Sequence, residues 1–224
     1  TDRSRGLGDV YKRQEFCVFD TETTGLDPGV EYLTEIGAVI VRNGEVVEEF
    51  DTFVKPGKPI TSKITELTGI TNEMVADAPS EAEALKAFLD FVDGRILVGH
   101  NAHSFDIRFL RAAAKRSGIE FEPTYIDTLT MAQAMYPGLH NYKQGTINKH
   151  LELPAYEAHR ACEDSAALGR IFCVMLKDLE EKQVTAVSGI NTGLGGNREV
   201  LKKKYYHLII LAVSYTHLRA HETD

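Results

Sequence analysis

Residues 16–20 read FCVFD, a run of apolar side chains closed by a carboxylate. A short apolar run of this kind reads as a buried strand. Glu22 is the next residue but one after Asp20, and the period of a strand puts both side chains on one face. Two carboxylates side by side repel unless a cation lies between them. Taken alone, such a pair is more often two polar residues leaving a strand. The Thr23-Thr24-Gly25 turn just beyond favours a site, because backbone amides can approach a ligand there.

The rest of the chain supplies further elements. Residues 35–41 and 46–54 are β-rich and meet around Asn43-Gly44, a hairpin signal. Pro56, Gly57 and Pro59 break the pattern. Residues 80–92 have helical spacing, with Ser80 as N-cap and Glu83 completing a capping box. Residues 96–98 and 125–127 read as short strands, and 128–135 as a helix. A helix over 106–117 ends at Gly118, and a longer one over 161–179 carries Leu168, Ile171, Phe172, Met175 and Leu179 on one side. Strands first, then strands alternating with helices, predict an α/β fold: a mixed β-sheet flanked by α-helices.

Asp106 opens its helix just after the 96–98 strand. An Asp there is commonly an N-cap, but sites in open α/β sheets gather at the carboxyl ends of strands, where Asp20 and Asp106 both lie. His159 and Asp164 bracket the start of the last long helix. Each alone reads as a surface residue. Asp164, however, falls beside Ala161 and Leu168 on the apolar side, where a carboxylate needs a partner. Histidine is suited to taking a proton near neutral pH. Asp20, Glu22, Asp106 and Asp164 offer hard oxygen ligands and no thiolate, a set that favours Mg²⁺ or Mn²⁺ over zinc. Two such ions can activate water and stabilise the leaving oxygen in phosphodiester cleavage.

The net charge of −8 argues against a basic module that grips duplex DNA nonspecifically. It is compatible with a nucleic-acid enzyme whose carboxylate site stays acidic until metal arrives. No apolar run is long enough to span a bilayer, so no membrane is expected. Three cysteines without metal-type spacing point to a reducing cytoplasm.

Both ends look foreign. One oligonucleotide, read on its two strands, can encode residues 4–14 and 212–223 together, and it resembles a transposase-type sequencing adapter. The expected division is therefore a non-native tail over 1–14, the main domain over 15–183, a linker and the start of another segment over 184–211, and a second tail over 212–224. Within the third part, residues 189–197 are glycine-rich and 206–211 (YHLIIL) are strand-like.

Three segments carry a family resemblance: FDTETTGL at 19–26, HNAHSFD at 100–106 and HRACED at 159–164. Their order and spacing resemble the 3′→5′ exonucleases named for their Asp-Glu-Asp-Asp carboxylates, in the branch with a histidine base (DEDDh). The resemblance implies a ribonuclease H-like fold and two bound Mg²⁺ or Mn²⁺ ions. It implies that Asp20 bridges both ions, that Glu22 binds one near the 3′-hydroxyl, and that Asp106 and Asp164 complete the set. His159 would deprotonate the attacking water, releasing a nucleoside monophosphate. The backbone around Thr21 and Thr23 would line the terminal nucleotide, and Leu26 would wedge against its base. Asn101 and Phe105 would contact the strand. One extra residue between Asn101 and Phe105 departs from the common pattern and leaves the roles of His100, Asn101 and His103 open; His103 reads as an exposed loop residue.

Residues 195–211 (GGNREVLKKKYYHLIIL) resemble the segment after the exonuclease of PolC-type bacterial DNA polymerase III, where a phosphoesterase-like PHP domain resumes. That implies proofreading of single-stranded DNA 3′ ends in the bacterial cytoplasm, alongside the rest of a polymerase chain and the replication machinery. The alternatives are an RNA-directed enzyme of the same chemistry (an oligoribonuclease or an RNase T-like enzyme) and a catalytically inactive module that only binds 3′ ends.

Overall fold

The computed structural model describes residues 14–182, 189–195 and 199–202. The second tail, residues 1–13 of the first, and the strand expected at 206–211 lie outside the described residues.

Among the described residues six strands form one sheet: β1 (Glu15–Thr23), β2 (Leu33–Arg42), β3 (Glu45–Phe53), β4 (Ile96–Gly99), β5 (Tyr125–Asp127) and β6 (Leu201–Lys202), in the order β3-β2-β1-β4-β5-β6. β2 is antiparallel to β1 and β3, whereas β4 runs parallel to β1 and to β5. The β2–β3 hairpin turns at Asn43 and Gly44, both at positive φ (56° and 77°), as the Asn-Gly pair predicts. The sheet is mixed and carries helices on both faces, the ribonuclease H-like arrangement.

The helices are α1 (Ser62–Thr68), α2 (Glu81–Val92), α3 (Asp106–Ser117), α4 (Thr128–Met135), α5 (Gln144–His150), α6 (Ala161–Glu181) and the single turn α7 (Ile190–Gly193). The capping box at Ser80 and Glu83 is formed as the sequence predicts.

Alternation along β1 sorts its side chains between two cores. Phe16 and Val18 pack with Leu168, Ile171 and Phe172 of α6, the Phe16 and Phe172 rings meeting edge to face at 5.0 Å. Cys17 and Phe19 pack with Leu85 and Phe88 of α2 and Phe109 of α3. Each fully buried aromatic here contributes on the order of 1.5–3 kcal/mol. By the same alternation Asp20 and Glu22 continue the α6 face and Thr21 and Thr23 the α3 face.

α6 lies hard against β2 where β2 has no side chain. A Cβ on Gly37 would sit 2.2 Å from the carbonyl carbon of Ala161. The glycine thus lets the first turn of α6 reach the end of β1.

Beyond Gln183, Ile190, Val200 and Leu201 are buried in the same core as α6, and β6 pairs antiparallel with β5. Described residues of this core therefore lie on both sides of the boundary expected near 183.

Candidate active site

Three of the expected carboxylates meet at the end of β1. Asp20, Glu22 and Asp164 each present an oxygen within 4.8 Å of the others, and all three are half-buried. That spread is close to the roughly 4.2 Å that opposite oxygens span across one Mg²⁺ at about 2.1 Å each. The electrostatics agree. Burial lifts the Asp20 carboxyl well above its usual range, and the charges of Asp106, Asp164, Glu22 and Glu35 lift it further. Burial pushes Glu22 up to about 8, helped by Asp164, Glu35 and Asp106 and opposed by Arg160. Asp164 is raised by burial and held back by the His159 backbone and the nearby imidazole. Acidic groups crowded this closely retain protons unless a cation replaces them. The donor set fits a hard divalent ion.

Asp106 stands apart from this triad. It is the first residue of α3 and is buried, and its Oδ1 accepts from the Thr21 hydroxyl at 2.6 Å and the Thr21 backbone N–H at 3.1 Å. Burial pushes its carboxyl up to about 6 against the pull of those bonds. It does not cap α3 with its side chain; the cap residue is Phe105, whose ring packs on Phe109 at 4.9 Å. Among charged neighbours Asp106 contributes most to the rise at Asp20, so the fourth carboxylate is adjacent while its oxygen is directed at Thr21.

His159 sits on an exposed turn with φ +74°, unusual for a residue with a Cβ. Its backbone N–H donates to Asp164 Oδ2 at 2.7 Å. The Gln144 side chain donates to the Asp164 carbonyl at 2.8 Å, tying α5 to the same turn. The Tyr156 hydroxyl bonds Gln144, and burial, followed by the charge of Asp164, pushes its phenol up to about 12.

Glu35 is the residue that the sequence motifs missed. It pairs with Glu22 across the β1–β2 ladder, is fully buried, and forms an ion pair with Arg160 at 2.6 Å. In the sequence it reads as the polar start of an apolar strand. Its partner is 125 residues away, so no local spacing could reveal the pair.

The second motif forms a loop held by Asp127. The carboxylate of Asp127 accepts from the backbone N–H groups of Asn101 (3.2 Å), His103 (3.0 Å) and Leu129 (3.0 Å). Asn101 is exposed at φ +58°. His100 is tied by its ring nitrogens to the Thr128 hydroxyl (3.0 Å) and the Tyr142 carbonyl (2.8 Å), and burial lowers its pKa. His103 is exposed, as expected, and its Nδ1 lies 2.6 Å from the Tyr125 hydroxyl. After β1, the Thr23 hydroxyl donates to the Gly25 carbonyl at 2.6 Å, and the Thr24 hydroxyl bonds Glu31. That turn projects Leu26, which is 84% exposed.

Comparison with known proteins fits this geometry. A family profile described as Exonuclease (RNase T) matches residues 17–172. The chain is 45% identical over 216 residues, 96% of its length, to the PolC-type DNA polymerase III of Caldanaerobacter subterraneus subsp. tengcongensis. It is 35% identical over 213 residues, 94% of its length, to the PolC-type enzyme of Bacillus subtilis. The chain spans 15% of the length of each of these two relatives. Exonuclease X, solved in complex with 5′-overhanging duplex DNA, superposes with a TM-score of 0.61 at 28% identity, covering 73% of this chain and 92% of that one. The nuclease domain of 3′hExo, a DEDDh family member solved with bound rAMP, gives 0.67 at 22% identity, covering 75% and 94%, and shares the fold. Among the described residues no helix is long and apolar enough to cross a membrane.

Proposed function

This chain belongs to the exonuclease (RNase T) family and is homologous to part of PolC-type DNA polymerase III, and on that premise we propose that it is a DEDDh-type 3′→5′ exonuclease domain that hydrolyses the terminal phosphodiester of single-stranded DNA 3′ ends as a proofreading activity. The observation that carries this reading is the cluster of Asp20, Glu22 and Asp164 oxygens beside the His159 turn. The family depends on divalent metal, and a carboxylate cluster is present to hold it. We assign Asp20, Glu22 and Asp164, with Asp106 beside them, to two Mg²⁺ or Mn²⁺ ions. Bound there, such ions supply charge stabilisation at the phosphate and a more acidic water.

The remaining steps fall to the protein's own groups. The His159 imidazole takes the proton of the attacking water. The backbone of Thr21 and Thr23 receives the terminal nucleotide, and the exposed Leu26 wedges against its base. Asn101 and Phe105, at the two ends of the second-motif loop, contact the strand. Asp127 keeps that loop in place from beneath. In its cellular setting the activity would serve a bacterial replicative polymerase, with the remainder of the polymerase and its replication partners handing over mispaired 3′ ends.

The test is direct. A 5′-labelled single-stranded DNA incubated with the protein and Mg²⁺ or Mn²⁺ should give a ladder shortening from the 3′ end, abolished by EDTA. Asp20→Ala and Asp164→Ala should each slow it by at least about a hundredfold, since metal-held charge stabilisation amounts to several kcal/mol. Undiminished cleavage by either variant would remove the carboxylates from the mechanism. A matched RNA oligonucleotide, cut more slowly if the reading is right, separates DNA from RNA as substrate.

A further inference from the structure

α6 begins without a local side-chain cap. Its first N–H, that of Ala161, donates instead to Glu35 Oε2 at 2.8 Å, from the neighbouring strand of the sheet. Glu35 Oε1 accepts from Arg160 Nη2 at 2.6 Å and Nε at 3.1 Å, so both oxygens are engaged by two consecutive residues. The Arg160 guanidinium also lies over the Phe53 ring at 5.4 Å. Glu35 is wholly buried, whereas the Arg160 side chain is 34% exposed. A carboxylate taken so completely out of water persists only with its charge and lone pairs matched.

The two residues that Glu35 grips come immediately after His159. His159 is thereby held from both sides: its own N–H is bonded to Asp164, and the next two residues are clamped to β2. Its φ of +74° is uncommon for a residue with a Cβ, and these anchors hold the backbone there. Glu35 is not one of the three carboxylates whose oxygens cluster, and its donors lie on the helix rather than in the cleft.

We propose that Glu35 is a positioning residue: through Arg160 and the Ala161 N–H it fixes the backbone turn that aims His159 at the reacting water. This rests on the reading of His159 as the base. Glu35 therefore controls the chemical step and leaves the grip on DNA alone.

The experiment uses the full 224-residue chain. Single-turnover and steady-state cleavage of a single-stranded DNA are measured for wild type, Glu35→Gln, Arg160→Gln, His159→Ala and the double variants with His159→Ala, each at saturating Mg²⁺ and across a Mg²⁺ titration. Arg160→Gln removes the partly exposed partner, so it carries the test if Glu35→Gln does not fold. Both single variants should lower kcat by about 10–100-fold, the usual effect of removing a group that orients an active-site side chain. KM should stay within about twofold. In the His159→Ala background the same substitutions should have almost no further effect, because the group they position is already gone. Folded single variants with full kcat would overturn the proposal. So would a loss that multiplies undiminished with that of His159→Ala, or one restored by excess Mg²⁺, which would point to Asp164 instead. A wild-type chain that leaves the DNA intact overturns the exonuclease reading and this inference with it, whereas the preceding outcomes overturn only the role of Glu35.

Discussion

The backbone N–H of His159 donates to the Asp164 carboxylate at 2.7 Å, across the first turn of α6. One carboxyl group thus serves two purposes. It belongs to the cluster with Asp20 and Glu22, and it also fixes the turn that carries the imidazole. A change at either residue is felt at both.

The turn itself gives the first prediction. His159 has φ +74°, where a side chain costs about 1–2 kcal/mol and glycine costs little. His159→Gly is therefore expected to melt about 2–8 °C above His159→Ala. Both variants lose the imidazole and should cut roughly 10²–10⁴-fold more slowly. Thermal denaturation and single-turnover assays check the two halves separately. Equal melting temperatures would mean the turn relaxes once the ring is removed.

A second prediction concerns pH. Glu22 is pushed up to about 8 from an ordinary 4.5. A carboxyl raised on folding binds its proton more tightly in the folded chain than in the unfolded one. Its contribution to stability is full below about 4.5 and is lost as pH rises through about 8. In EDTA, melting temperature should fall across that window as this group loses its proton. Glu22→Gln should flatten the slope, and Mn²⁺ at the alkaline end should restore wild-type stability. A wild-type slope that persists in Glu22→Gln would assign the effect to Asp20 or Asp164.

These two cases show what was legible in the sequence. β1 and its carboxylates could be read because an apolar run and a two-residue alternation are local signals. So were the Asn43-Gly44 turn and the capping box of α2. The helices α1 and α5 were not, because seven residues of mixed polarity hold too few turns to show a period. α1 announces only its end, through Gly69 at φ +73°. Glu35 was invisible for a different reason: its meaning depends on Arg160, which only the fold brings near. The bond from Thr21 to Asp106 is likewise long-range, linking residues 85 apart.

Asp127 supports a third prediction. Its side chain caps α4 at Leu129 and also accepts from Asn101 and His103, so one residue serves two elements. Asp127→Ala should lose the cap, worth about 0.5–2 kcal/mol, and free the loop as well. Hydrogen exchange at the Asn101 and His103 amides should quicken well beyond any global change. Protection unchanged at those amides would show that the loop is held by other contacts.

The fourth prediction tests how α6 is seated. A methyl on Gly37 would lie 2.2 Å from the Ala161 carbonyl carbon and 2.3 Å from both its oxygen and the Cys162 nitrogen. All three are backbone atoms, so no side chain can swing aside. The first turn of α6 must move, yet Leu168, Ile171 and Phe172 hold the rest of the helix in the core. Overpacking of this kind typically costs about 1–3 kcal/mol. The displaced turn carries Asp164 away from Asp20 and Glu22, so metal affinity and cleavage should fall further than stability does. Gly145 is the natural contrast: it lies in α5 with open space around its Cβ position and no positive φ. Gly145→Ala should be neutral or stabilising by up to about 1 kcal/mol. Calorimetric Mn²⁺ binding alongside thermal melts of both variants decides the point. Intact metal binding in a folded Gly37→Ala protein would mean that α6 can shift without carrying Asp164 out of the cluster.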